Sequence, residues 1–285
     1  MTEAIVYLNG RLVPQSRAFI STSNSSFLYG EGLFETLKIE KGRPRFLPHH
    51  LERLYRGAEF LNFSLPDQDA LTKAIEETIE ANGVECGRLR LTLSRNGEGS
   101  CLLITASQGL PYKEKDYLQG FRAVLSSFRR NHLSPLKAFK TTNYLENALA
   151  LKEAQAAGAG EAILLNTEGF LAEGSRSNLF LVHDGVLFTP DLASGPLPGI
   201  TRQQVIALAQ QAGITVVEKR LALKDLTAAQ EAFLTSSLME IMPLTSFGDQ
   251  PIGNGKPGPV TSYIKKIFTN TAVGKLSSPP GGIIK

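Results

Sequence analysis

Three short glycine turns set the strongest limit on the fold. Asn9-Gly10 sits inside AIVYLNGRLV, Lys41-Gly42 inside LFETLKIEKGRPRFL, and Asp184-Gly185 between NLFLV and VLFTP. An Asn-Gly or Asp-Gly pair between apolar stretches is a strong hairpin signal, because both turn residues must accept positive φ. Hairpins join antiparallel strands. The first third of the chain also lacks the strand–helix alternation that a doubly wound parallel sheet requires. The pattern therefore predicts an α+β protein. No GxGxxG or GxxxxGK[ST] occurs, and the GxG of YGEGLF has nothing to complete a nucleotide loop. By spacing alone it reads as a tight turn between strands.

The remaining elements divide the chain in two. HHLERLYRGAEFLNF has apolar residues at 51, 54, 58 and 61, a helical spacing. PDQDALTKAIEETIEANG reads as a second helix, opened by Pro66 and closed by Gly83. RLRLTLS and CLLITAS read as strands. The polar, Gly- and Pro-containing residues 111–119 are expected to link a smaller domain, 1–110, to a larger one, 120–275. The larger domain opens with the strand FRAVLSSF. In TTNYLENALALKEA, Asn143 precedes Glu146 by three residues, a capping-box spacing. Leu145, Ala148, Leu149 and Lys152 then share one face of a helix that runs to about Gly158. EAILLN, GFLAEG, ITVVEKR and EAFLTSS are expected strands. PGITRQQVIALAQQAG is an expected helix with Thr201 as its cap, and VTSYIKKIFTN a final one. Residues 276–285 read as a frayed tail.

Composition narrows the function classes. A formal charge of +3 over 285 residues, with scattered basic residues, gives no footprint for nucleic acid. Arg129-Arg130 and Lys265-Lys266 read as solvated charge. Two cysteines without a CxxC, and four histidines without ligand spacing, give no reason to expect a structural metal. No window of 18 apolar residues and no signal-peptide pattern occurs, so a soluble cytoplasmic protein is expected.

Several groups have chemistry available, and each also has an ordinary structural reading. SGPLPGITRQQ leads straight into a helix, whose first N–H groups favour an anion. Taken alone, an ordinary capped helix explains it as well. Glu173 in FLAEGSRSNLF ends a strand, where it serves as a turn former or as a carboxylate facing a cationic ring. Thr235, Ser236 and Ser237 end another strand and suit either a plain turn or phosphate oxygens. Arg53 lies on a helix, where arginine is usually solvated. Lys137, Lys140 and Lys152 crowd one window and are locally indistinguishable.

The order of these signals resembles the class IV, or fold type IV, pyridoxal-phosphate (PLP) enzymes, from about residue 4 to about 250. This group includes branched-chain and D-amino acid aminotransferases and 4-amino-4-deoxychorismate lyases. The resemblance implies a two-domain fold, PLP as cofactor, a small amino substrate and a homodimer. It places Lys140, in KTTNYLENAL, at the lysine that forms the Schiff base with PLP. Glu173 matches the glutamate facing the pyridine nitrogen, which keeps the ring an electron sink. Arg53 matches the arginine on the cofactor phosphate, and Gly199, Ile200 and Thr201 match the helix start that binds it. Ser236 and Ser237 fall in a phosphate- or carboxylate-contacting turn. Tyr144, Ser177 and Asn178 are placed near the cofactor. Phe34, Arg95 and Arg176 are placed toward the substrate. Lys137 and Lys152 return to surface charge.

The reaction is read from the substrate-side segments. Phe34 stands where D-amino acid aminotransferases carry tyrosine. LSRNGEGSCLLI lacks their Arg-x-His clamp, and one residue fewer separates Lys140 from Asn143-Tyr144 than in branched-chain enzymes. The stretch RRNHLSPLKAFKTTNYLENALALKEA is most similar to the deoxychorismate lyases. The expected activity is therefore a lyase that releases pyruvate and forms 4-aminobenzoate. Arg176, where relatives carry a small residue, would suit its dicarboxylate substrate. The alternative is an aminotransferase for D-amino or branched-chain amino acids with 2-oxoglutarate. A PLP-binding protein without activity is the second alternative.

Overall fold

The computed structural model describes residues 3–97 and 99–271. The expected tail, 276–285, and the last residues of the expected larger domain lie outside them. The chain forms two compact units. One holds the chain up to Pro111 together with Phe139–Tyr144, and the other holds Tyr112–Ala138 and everything from Leu145 on.

In the first unit, β1 (Ile5–Leu8), β2 (Arg11–Pro14), α1 (Ser25–Tyr29), β3 (Gly32–Glu40), β4 (Arg43–Pro44), α2 (Leu47–Phe60), α3 (Gln68–Ala81), β5 (Cys86–Asn96) and β6 (Gly99–Gln108) follow in order. The strands form one antiparallel sheet ordered β2-β1-β6-β5-β3-β4. Both expected hairpins are present. Asn9 and Gly10 take φ of 48° and 93°, and Lys41 and Gly42 take 52° and 71°. Period-two alternation sorts the sheet faces. Leu89, Leu91 and Leu93 of β5, Leu37 and Ile39 of β3 and Ile104 of β6 are fully buried beneath α2 and α3, which add Leu51, Leu54, Leu71 and Ile75. Each such side chain contributes about 1.5–3 kcal/mol by leaving water. Asp67, one residue after the expected opener Pro66, caps α3 through the Ala70 N–H at 2.8 Å.

The second unit runs α4 (Glu114–Gln119), β7 (Phe121–Arg130), α5 (Leu145–Ala156), β8 (Glu161–Asn166), β9 (Leu171–Gly174), β10 (Asn178–His183), β11 (Val186–Pro190), α6 (Ile200–Gln211), β12 (Val216–Lys219), α7 (Leu223–Thr227), β13 (Glu231–Ser236), β14 (Glu240–Phe247), β15 (Gln250–Pro251) and α8 (Pro259–Thr271). Its mixed sheet is ordered β12-β11-β10-β13-β14-β7-β8-β9, with β15 beside β14. The pairings β11/β12, β7/β14 and β7/β8 are parallel. Strands covered on both faces read as continuous apolar runs. EAILLN is accordingly buried at every position.

Several expectations change. The linker 111–119 contains the helix α4, capped by Asp116 accepting from the Lys113 N–H at 2.8 Å. α5 buries Asn147, Ala150 and Ala154 rather than the Leu145 face, and Leu145 is exposed. Small alanines let that helix lie close on β8. β14 escaped the sequence reading because Pro243 interrupts EIMPLTSF. Phe139–Tyr144 returns to the first unit despite lying beyond the expected linker.

Candidate active site

In the first unit the Lys140 segment runs beside the start of β3. Phe34 N–H donates to the Lys140 carbonyl and Thr142 N–H to the Gly32 carbonyl, both at 2.8 Å. Thr142 Oγ1 and Asn143 Nδ2 both donate to the Gly30 carbonyl, at 2.7 and 2.9 Å. Asn143 thus ties this segment to Gly30, and α5 starts at Leu145, one residue later than an Asn143 cap would place it. These bonds fix the backbone from which Lys140 projects. Its Nζ lies 4.3 Å from the Phe34 ring centre and 5.0 Å from that of Tyr144. The two rings meet edge to face at 5.2 Å. The amine thus stands against an aromatic wall.

Arg90, on the same face of the sheet as Phe34, holds its Cζ 4.0 Å over that ring. Its guanidinium is half-buried, and among the described residues no carboxylate pairs with it. Burial, then the neighbouring Arg88, lowers its pKa. The sequence reading missed Arg90, although RLRLTLS alternates apolar leucines with Arg88, Arg90 and Thr92. Arg95 differs from the expectation. Its Nε pairs with Glu31 at 2.6 Å, one Nη donates to the Leu61 carbonyl at 2.8 Å, and its Cζ sits 4.9 Å over Phe63. A guanidinium so engaged is a poor carboxylate receptor.

Arg53 is buried, not solvated. It lies on the core stripe of α2 with His50, and both meet Glu35, which strand alternation turns into the core. Arg53 Nε and one Nη donate to the two Glu35 oxygens at 2.7 and 2.8 Å, and His50 Nδ1 lies 2.7 Å from Glu35 Oε2. Glu35 therefore turns into the core toward Arg53 and His50. Burial alone would raise its carboxyl, but Arg53 and His50 outweigh burial and bring it down to about 2. Burial lowers His50, against the pull of Glu35. Both groups are depressed in the fold, so both lose stability on acidification. The melting temperature is expected to decline below pH 6.5 as unfolded His50 gains its proton. A steeper fall is expected from pH 4.5 toward about 2 as Glu35 titrates. Thermal melts across that range check this, and a flat profile from pH 6 to 3 would contradict it.

In the second unit Glu173 is buried on β9. Arg130 Nε lies 3.1 Å from its Oε1, and the Leu197 N–H donates to Oε2 at 2.9 Å. Arg130 thus faces a buried carboxylate instead of being solvated charge. The loop after Glu173 is pinned from beneath by Glu161, which is fully buried. It accepts from the N–H groups of Ala162 and Ser175, the Ser175 hydroxyl, and Ser177 Oγ at 2.8 Å. Ser177 is therefore turned to Glu161, and its expected place at the cofactor becomes support of the loop. Asn178 also supports the site. Its Nδ2 donates to the Leu197 carbonyl at 2.8 Å, steadying the loop whose N–H holds Glu173.

That loop continues into α6. Gly199 is its N-cap, ahead of the expected Thr201, and no side chain caps the helix. A Cβ on Gly199 would fall 2.0 Å from Asn178 Oδ1, so only glycine admits this approach. Ile200 and Thr201 are buried. A buried helix start without a side-chain cap needs another acceptor, and its dipole suits an anion. Thr235, paired in register with Asn178, holds a buried Oγ1 with no protein partner. Ser236 Oγ accepts from Met239 N–H at 3.4 Å in the turn that follows, which also contains Ser237. These donors fit a phosphate-bearing group. Arg176 is half-buried, with one Nη donating to the Gly160 carbonyl at 3.4 Å and its Cζ 5.6 Å from the Tyr112 ring. Lys137 Nζ donates to the His132 carbonyl, and Lys152 is exposed.

The model of the class IV amino-transferase family matches residues 32–247. The chain belongs to the class IV aminotransferase family. It is 32% identical to the branched-chain-amino-acid aminotransferase of Pseudomonas aeruginosa over 96% of this chain and 94% of that one. The crystal structure of Escherichia coli branched-chain amino acid aminotransferase superposes with a TM-score of 0.91 at 30% identity, covering 98% of both chains. The T.th. branched-chain amino acid aminotransferase with pyridoxamine 5'-phosphate superposes at 0.90 with 31% identity, covering 97% of this chain and 96% of that one. The fold is that of the fold type IV PLP enzymes, and PLP is the cofactor. The expected lyase is overturned, since these relatives, which match nearly the whole chain at 30–32% identity, are named branched-chain amino acid aminotransferases. The misleading signal was loop length. Thr142 and Asn143 anchor the segment after Lys140 to Gly30, so one residue fewer alters a connection and not a reacting group. The dicarboxylate argument for Arg176 falls with the lyase. Among the described residues, no helix is long and apolar enough to cross a membrane.

Proposed function

We propose that the chain is a branched-chain amino acid aminotransferase, moving an amino group from a branched aliphatic amino acid to 2-oxoglutarate. The observation that carries this reading is the Lys140 amine held against Phe34 and Tyr144, in a chain similar over its whole length to branched-chain enzymes. An aromatic wall suits an aliphatic side chain, whereas Arg90 beside the same ring suits the carboxylate of the second substrate.

When bound, PLP supplies an electron sink for the charge left at the substrate α-carbon. Lys140 Nζ takes the α-proton and delivers it again, as a general base and then an acid. Glu173, itself held by Arg130 and the Leu197 N–H, would keep a proton on the ring nitrogen. In the first unit Arg53 would bind a phosphate oxygen, and in the second the Ile200 and Thr201 N–H groups at the start of α6 and the hydroxyls at Thr235–Ser237 would suit the same kind of group. Asn178 and Ser177 steady the loops that carry these groups.

A homodimer is the assembly that fits. Phe19, Phe27 and Tyr29 are 76–80% exposed, three large aromatic side chains within eleven residues that a second copy would cover. The two free thiols, Cys86 and Cys101, suit a reducing cytoplasm. The test of substrate class is direct. Leucine, isoleucine and valine, each with 2-oxoglutarate, are expected to give glutamate at least about 10-fold faster than D-alanine does, a margin that pocket shape alone supplies. Preference for D-alanine would overturn the branched-chain reading.

A further inference from the structure

We propose that Glu35 and His50 are positioning residues that set the phosphate-binding face of Arg53. This rests on the reading that Arg53 holds the cofactor phosphate. A guanidinium carries five N–H bonds. Glu35 takes two of them, one on Nε and one on Nη2, along a single edge. The end-on edge, formed by Nη1 and the second hydrogen of Nη2, is then directed by Glu35 and not by the flexible arginine stem.

Three features make this a built arrangement. All three side chains are buried, with 1% exposure for Glu35 and His50 and 6% for Arg53. Burying three titratable groups is costly unless each has a partner, and no step of the transfer uses Glu35 or His50. The carboxylate sits on β3 between fully buried neighbours on the same face, Leu33 and Leu37, so it does not swing with a ligand. His50 Nδ1 completes the acceptor, sharing Glu35 Oε2 with Arg53. An ionised Glu35 only accepts here, so Nδ1 carries the hydrogen. The histidine thereby fixes the carboxylate plane, and the carboxylate fixes the guanidinium plane.

The experiment compares PLP with pyridoxal, which lacks the phosphate, by absorbance titration of the apo-protein. Glu35→Gln puts an amide hydrogen where an acceptor stands. It is expected to weaken PLP about 10- to 100-fold, the scale on which loss of an outer hydrogen-bond partner weakens a liganding group. Pyridoxal affinity is expected to stay unchanged. His50→Asn is expected to preserve both affinities, because its Nδ2 reproduces the donor. His50→Leu, which loses it, is expected to weaken PLP alone, and it carries the test if Glu35→Gln does not fold. Equal weakening of PLP and pyridoxal would mean a merely structural role and would overturn the inference. Unchanged PLP affinity in folded Glu35→Gln would overturn it too. Arg53→Gln is the control. If it fails to separate PLP from pyridoxal, the phosphate role of Arg53 is what falls. If it separates them and Glu35→Gln does not, only the present inference falls.

Discussion

Lys140→Ala is expected to lower turnover by about 10⁴-fold or more while the apo-protein melts at nearly the wild-type temperature. The two effects separate because the backbone of this segment carries the structure and the side chain carries the chemistry. The bonds from Phe34 N–H to the Lys140 carbonyl and from Thr142 to Gly32 and Gly30 do not involve the amine. Proton transfer by one positioned group is worth about 10²–10⁴-fold. Loss of the amine that also holds the cofactor covalently takes the effect to the top of that range and beyond. A rescue experiment sharpens the point. A small primary amine in the buffer is expected to restore part of the proton transfer in Lys140→Ala, with more restoration from more basic amines. The wild type is expected to show a visible chromophore that borohydride fixes on Lys140, and the variant to fix none. Near-normal turnover in Lys140→Ala, or a borohydride adduct on Lys137 or Lys152, would displace Lys140 from this role.

The local framework of the candidate site was legible because particular residue types mark particular ends of elements. Glycine before a helix and a carboxylate at a strand end are local features. They stand in the structure where the residue order placed them, at α6 and β9. What was not legible is long range. Nothing in LSSFRRNH marks Arg130 as the partner of Glu173, since 43 positions separate 130 from 173 and only sheet assembly joins them. Glu35 and His50 were hidden for a similar reason. A carboxylate and a histidine 15 positions apart give no local sign of each other until strand and helix phases turn both into one core. Arg90 was hidden by the opposite effect, an alternating strand whose polar face passes for ordinary solvent exposure. Loop lengths misled most. The shortened connection after Lys140 pointed to a lyase, yet a connection is the part of a fold that changes most freely without touching the reacting groups.

Glu173→Gln is expected to lower kcat about 10²- to 10³-fold, the scale seen when one preorganised electrostatic partner is removed from a site. Glutamine is nearly the same shape, so the effect isolates charge. In the native fold, Glu173 is buried with Arg130 on one oxygen and the Leu197 N–H on the other. A neutral amide still accepts from one of these, but it cannot hold a proton on a ring nitrogen against the pull of the adjacent guanidinium. Its own NH₂ would also face either Arg130 or the Leu197 N–H, donor against donor. Two measurements then move together. The apo-protein loses about 3 kcal/mol, the lower end for a broken buried pair, because Arg130 keeps some contact with water. The absorbance of the bound cofactor is expected to shift, because Glu173 is the anionic partner proposed for its ring nitrogen. Arg130→Gln separates the two roles of the pair. It leaves the carboxylate in place, so it is expected to cost stability on a similar scale but to reduce kcat far less. If Glu173→Gln loses the stability and keeps turnover within a factor of about 10, Glu173 serves the fold alone, and some other group must supply the charge that the ring requires.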